Sequence, residues 1–191
     1  MEIDLAGAGV ALEGSRNPVA EAAWVALLAN GGRIADSAAS DVLLISCPLL
    51  PLSADADVHE KLRFARKSAT AMAERGDGRI VFLLSAIAGM PMRRHPAFSA
   101  DMAGIVAGVR TLAMEFGPTV LVNAVGFGLL AGDATISGDE AQLTHIPLGR
   151  PGSISEAVSA VLFLCDPLNS YTTGQLLSVD GGWTAGYGRN F

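Results

Sequence analysis

The feature that most constrains this chain is the alternation of short apolar runs with segments of helical period. Four runs, Asp41 to Ile45, Arg79 to Leu84, Val120 to Val125 and Gln175 to Val179, are too short for helices and too continuously apolar for strands with one wet face. Strands buried on both faces belong to parallel sheets covered by helices on each side, so the alternation predicts an α/β domain with a mostly parallel sheet.

The helical segments carry their own start and stop signals. Asn17 caps a helix with Pro18 at its first position, Val19, Ala22, Ala23, Ala26 and Leu27 mark one face, and Gly31 stops it. A second runs from about Val58 to Arg75 with Leu62, Ala65, Ala69 and Met72 on one side. A third, from about Phe98 to Phe116, has a broad apolar stripe through Met102, Ile105, Val106, Val109, Leu112 and Ala113. A fourth opens with the capping box Ser153-Ile154-Ser155-Glu156 and continues through Val158, Val161, Leu162 and Cys165.

Composition removes several function classes. At 50% hydrophobic and 17% charged, the 191 residues read as one ordered domain, residues 1–191. The net charge of -6, with Lys61 and Lys67 the only lysines, argues against a nucleic-acid partner. Cys47 and Cys165 form no C-x-x-C, and His59, His95 and His145 lack zinc-ligand spacing, so no metal site is expected. Cys47, before Pro48, reads as a small buried apolar residue. The start Met1-Glu2-Ile3-Asp4 has no basic n-region and no long uncharged apolar stretch follows, so the expectation is a soluble, cytoplasmic protein without membrane contact.

Several separated motifs stand in one order: Gly78-Arg79-Ile80-Val81, Ile87-Ala88-Gly89, Thr111-Leu112-Ala113-Met114-Glu115, Leu121-Val122-Asn123-Ala124-Val125, Pro147-Leu148-Gly149-Arg150, Ser170-Tyr171-Thr172-Thr173-Gly174-Gln175 and Val179-Asp180-Gly181-Gly182-Trp183. In these the chain resembles the short-chain dehydrogenase/reductase family from Val58 onward, and the portion before that only loosely. The resemblance implies a truncated Rossmann-type three-layer α/β/α sandwich. In that family NAD(P) is bound, and a Ser, a Tyr and a Lys move hydride and proton: Tyr as general acid or base, Lys lowering its pKa, Ser polarising the carbonyl.

This sequence departs from the family at each of those positions. The Tyr-x-x-x-Lys pattern falls on Phe98-Ser99-Ala100-Asp101-Met102, and the only tyrosines, Tyr171 and Tyr187, have no lysine four residues on. The catalytic serine falls on Ser85 or on Ala86, depending on the motif used for alignment, and the supporting Asn on Asp57. The Asn-Asn-Ala-Gly segment is replaced by Ile45-Ser46-Cys47-Pro48, and the Pro-Gly turn near the nicotinamide by Gly126-Phe127-Gly128. The glycine-rich diphosphate turn falls on Glu13 to Ala20. It keeps Gly14, sets Pro18 and Ala20 among the other turn positions, and brings in a carboxylate.

The chain is also shorter than the family's usual length, with the deficit between about 35 and 41, where a helix, a strand and a further helix would carry the adenosine pocket. Ala35 to Ser40 must then cross from the second strand of the family's sheet to the next one over the first. Six extended residues span roughly 20 Å, so a bare connection is possible but leaves part of a face thinly covered.

Sharper readings compete with plain ones. Arg16 and Asn17 at a helix start suit a phosphate, but an ordinary cap beside a solvated arginine is the stronger reading. His95 stands in the substrate-loop region, and a Ser85/His95/Asp101 triad can be composed, although no nucleophile elbow surrounds Ser85. Arg93 and Arg94 suit a coenzyme A phosphate reaching a neighbouring subunit, or simply solvent.

The resemblance therefore implies assembly without chemistry: a non-catalytic subunit, holding no cofactor, paired with an active NAD-dependent short-chain dehydrogenase, as a heterotetramer, and meeting an acyl-CoA substrate only through the partner's site. The expected interface is Leu62, Ala65, Ala69, Met102, Val106, Val109 and Ala113, with the tail residues Tyr187, Arg189 and Phe191 reaching toward the partner's cleft. A homo-oligomeric ligand-binding protein and an enzyme with relocated catalytic residues are the alternatives.

Overall fold

The computed structural model describes residues 1–51, 57–132 and 143–186. Its centre is a six-stranded sheet of β1 (Gly9–Gly14), β2 (Arg33–Ile34), β3 (Val42–Ser46), β4 (Gly78–Ser85), β5 (Val120–Phe127) and β6 (Leu176–Val179). The order is β2-β1-β3-β4-β5-β6, with every pairing parallel. The expected α/β sandwich is thus present, and the four anticipated strands are β3 to β6. β1 and β2 lie outside those four, β1 because it is glycine-bounded and barely longer than its apolar core, β2 because two exposed residues carry no period.

Helices α1 (Pro18–Ala29) and α4 (Ile154–Cys165) cover one face, and α2 (Val58–Arg75) and α3 (Pro96–Phe116) the other. The alternation of side chains along the strands divides the core accordingly. On β4, Ile80, Phe82 and Leu84 pack toward α2 and α3, while Val81 and Leu83 pack toward α1 and α4. By length and composition α3 is apolar enough to cross a bilayer, with mean hydropathy 1.2, yet Met102, Ile105 and Val109 are fully buried in the α2/α3 core.

The short connection from β2 to β3 works because β2 is only two residues long. Arg33 and Ile34 pair with Gly9 and Val10, and Val42 begins β3 on the other side of Val10, so the chain leaves and enters at one level. Two strand spacings, about 10 Å, separate these points, well within the reach of residues 35–41. Ala35 N donates to Val10 O at 3.0 Å and Asp41 N to Gly9 O at 2.8 Å. The crossing passes over Gly9, where a Cβ would stand 2.9 Å from that of Ala35. Arg75 at the end of α2 donates to the carbonyls of Ala38 (2.9 Å) and Ser40, which places the crossing on the face opposite α1, as a right-handed return step requires.

The capping box of α4 forms as anticipated. Ser153 Oγ accepts from Glu156 N at 3.2 Å, and Ser153 N donates to Glu156 Oε2 at 2.7 Å. Hydrogen bonds from the Arg150 guanidinium and then from Ser153 hold the Glu156 carboxyl down at about 2. A carboxyl lowered by folding stabilises the fold above its ordinary value and loses that contribution as pH falls. The melting gap between wild type and Glu156→Gln is therefore expected to be full above the ordinary 4.5 and to close toward pH 2, as circular-dichroism melts at stepped pH would show.

Candidate functional site

In open parallel sheets ligands sit beyond the carboxyl ends of the strands, where the strand order reverses. Here that point lies between β1 and β3, flanked by the first turns of α1, α2 and α3, because each of these helices follows a strand and runs back along it.

The turn after β1 is closed by its own hydrogen bonds. Ser15 N donates to Ser46 O at 3.0 Å, Ala20 N to Asn17 Oδ1 at 2.9 Å, and Glu21 N to Asn17 O at 3.1 Å, while Pro18 has no N–H. Asn17 Nδ2 in turn donates to Ser46 Oγ at 2.9 Å. Gly14, at φ +93°, lies so close to β3 that a Cβ would stand 2.2 Å from Ser46 O and 3.2 Å from Lys61 Nζ. The Glu13 carboxylate accepts from Ser37 of the crossing segment. A dinucleotide needs free backbone donors at this turn and an open pocket for its adenosine. The residues present do not fit one: the helix-start donors at Ala20 and Glu21 are spent, and a carboxylate and the crossing segment stand at the end of β1.

The positions that match the family's acid/base pair are filled with carbon. Phe98 and Met102 lie in the first turns of α3, 7% and 0% exposed, in one apolar cluster with Leu84, Ile87 and Cys47. Ser85 ends β4, 5% exposed, and its hydroxyl faces the Ile87 amide at 3.5 Å as the cap of a short 3-10 turn that contains Ala86. Asp57 caps α2, accepting from Glu60 N at 3.0 Å, and that backbone bond holds its carboxyl below the usual range. Burial pushes the Cys47 thiol up to about 12, with Lys61 pulling the other way, so Cys47 is the inert core residue expected of it.

The remaining candidates separate. Asn17 is a cap and Arg16 is exposed. His95 precedes α3, exposed and without a side-chain capping bond, and no hydrogen bond among the described residues joins it to Ser85 or Asp101, so the structure does not assemble the triad. Ser99, 7% exposed, ties the substrate-loop region to α3 instead, donating to His95 O at 2.9 Å and accepting from Met92 N at 3.0 Å. Lys61 was missed by sequence reasoning. Its place in the first turn of α2, at the carboxyl edge, is the signal that would have found it.

Of the seven residues expected at an interface, Ala65, Ala69, Met102, Val106, Val109 and Ala113 are buried in this chain's own α2/α3 core, and Leu62 is half-buried against Gly108. Within this chain, the stripe broad enough for two surfaces is taken up by α2 and the sheet. Among the residues that α3 turns outward are Ala100, Ala103, Ala107 and Met114, the last 78% exposed, together with Arg110, Thr111 and Glu115. Tyr187, Arg189 and Phe191 lie outside the described residues.

Residues 52–184 match a family profile described as enoyl-(acyl carrier protein) reductase. Over 110 residues the chain is 39% identical to 3-oxoacyl-[acyl-carrier-protein] reductase FabG of Aquifex aeolicus, covering 55% of this chain and 44% of that protein. Over 130 residues it is 40% identical to galactitol 2-dehydrogenase (L-tagatose-forming) of Cereibacter sphaeroides, covering 63% and 51%. The chain spans about half the length of these relatives. In structure it is similar to an NADPH-bound short chain oxidoreductase from Pseudomonas aeruginosa PAO1 containing an atypical catalytic center, with TM-score 0.72 and 25% identity over 94% of this chain and 98% of that one.

Proposed function

From the premise that this chain belongs to the short-chain dehydrogenase/reductase family, whose profile it matches over residues 52–184, we propose that it is a non-catalytic subunit that assembles with an active NAD-dependent member of that family. The observation that carries this reading is the pair Phe98 and Met102. Both side chains are packed into the core at the positions where the family's proton donor and lysine would stand. Neither can hold or move a proton, and the spent donors after β1 add an independent obstacle to hydride chemistry.

Within that reading the assembly is a heterotetramer and its substrate a 3-hydroxyacyl-CoA, for which 2-[hydroxy(phenyl)methyl]succinyl-CoA of benzylsuccinate β-oxidation is the named candidate. The emptied acid/base positions and the shortened N-terminal half support it. The likeness to 3-oxoacyl-[acyl-carrier-protein] reductases speaks for an acyl thioester. The active partner supplies cofactor and chemistry, and this chain supplies the surface on which the partner is held.

The likeness to an oxidoreductase with an atypical catalytic center favours a second reading, an enzyme with relocated catalytic residues. Calorimetric titration of the purified chain with NADH and NADPH separates the two. No heat of binding is expected, and micromolar affinity for either nucleotide overturns the first reading in favour of the second. In the positive test, co-expression with the catalytic dehydrogenase yields a complex of fixed stoichiometry that oxidises the hydroxyacyl-CoA, while this chain alone oxidises none.

A further inference from the structure

The charges of this chain are not evenly spread over its surface. Residues 58–75 and 91–116, which form α2, α3 and the loop before α3, hold eight of the chain's 13 Lys and Arg but four of its 19 Asp and Glu. That layer carries a net +4, and the rest of the chain -10. Arg63, Arg66, Lys67, Arg93, Arg94 and Arg110 are all exposed. Among the described residues, Arg66 of this set forms a close ion pair, with Glu115 across the two helices at 2.7 Å, and Arg63 acts on the Asp57 carboxylate from a greater distance.

The middle of the same face is carbon. Ala103, Ala107 and Met114 are exposed along α3, and an open hollow of about 630 Å³ lies beside its start, with Met92, Arg93, Arg94, Pro96 and Ala100 in its lining. Small side chains let a second helix approach closely, while the hollow has room for an apolar side chain flanked by carboxylates. A nucleic-acid backbone would leave the carbon uncovered, so the occupant that matches both features is a helical protein face.

We infer that the α2/α3 face docks the acidic helical face of a different chain and rejects a second copy of itself. This rests on the proposed pairing with a family member, since a relative of the same fold presents the same two helices. In backbone such a relative resembles a second copy, and charge is the difference that this face reads. A two-fold contact between two copies sets Arg63, Lys67, Arg93, Arg94 and Arg110 against their own duplicates, whereas an acidic relative meets opposite charge at the same positions.

The chain itself supplies the probe. Arg63→Glu, Lys67→Glu, Arg93→Glu and Arg110→Glu together turn the layer from +4 to -4 without touching a core residue or the Arg66–Glu115 pair. Sedimentation velocity reads association, and hydrogen exchange across α2 and α3 reads which face is covered. Wild type alone is expected not to pair on this face at low salt. Wild type mixed with the variant is expected to form a one-to-one dimer with slowed exchange on both helices, losing about tenfold or more in affinity between about 50 and about 500 mM salt.

A wild-type dimer covered on α2 and α3 at low salt overturns the inference. So does the absence of a mixed dimer when the variant melts like wild type. Should the fourfold variant melt lower, the double variant Lys67→Glu/Arg110→Glu replaces it, with a smaller gain expected and no gain overturning the idea. The functional reading fails separately: a mixed dimer together with no dehydrogenase complex upholds the charge-selective face, whereas a dehydrogenase complex indifferent to salt and to these reversals overturns the face alone.

Discussion

Replacing Met102 with lysine is expected to lower stability by about 3–5 kcal/mol and to restore no turnover, alone or with Phe98→Tyr. The substitution rebuilds the family's Tyr-x-x-x-Lys in sequence, but Met102 is fully buried among apolar side chains. An ammonium there loses its hydration and enters a cluster whose described members are all apolar, so its pKa falls and the fold absorbs the cost. In a family enzyme this lysine works beside a bound nicotinamide ribose. Here the turn after β1 is bonded to itself, so the restored side chains would have no cofactor to act on. Denaturant melts measure the first half, and NAD(P)H-linked assays of the double variant the second. Turnover with unchanged stability would show that this region opens to solvent.

Val109→Asp and Ala107→Glu, two residues apart on α3, are expected to fail in different ways. Val109 has no exposed surface and packs between α2 and the sheet, so a carboxylate there costs about 3–5 kcal/mol, a large share of a small domain's total stability. The chain should then lose its cooperative melt. Ala107 is exposed, and a glutamate on that position should hold stability within about 1 kcal/mol while weakening assembly by standing where a helix must approach. Melting curves and gel filtration of the complex separate the two. A folded Val109→Asp chain that merely dissociates would return Val109 to the interface where the sequence alone had placed it.

That contrast also shows what can be read from the residues. Helix starts were legible because they rest on local chemistry: Asn17 with Pro18, and Ser153 with Glu156, each satisfy amides within one turn. The central strands were legible because burial on both faces forces continuous carbon. That Phe98 and Met102 carry no hydroxyl and no ammonium is visible without coordinates. Which partner a wide apolar stripe meets was not, because Met102 and Val109 satisfy an internal helix and an external one equally well. The segment between β2 and β3 was beyond reach for another reason: its feasibility depends on the level at which β2 stops, set by pairing with Gly9 and Val10 rather than by any residue of the segment. Lys61 was invisible because its proximity to Gly14 joins residues from separate elements.

The brevity of β2 bears on solubility as well as on connectivity. An open sheet ends in rows of unpaired amides and carbonyls, and a long flat margin recruits strands from other molecules into fibres. The outermost strand on this side is two residues long, and one of them is Arg33, whose guanidinium lies 4.0 Å from the Asp41 carboxylate. Ile34, 69% exposed, is the only apolar side chain it offers. A strand recruited along β2 would find two residues of backbone to grip and a charge beside them, a poor template for further strands.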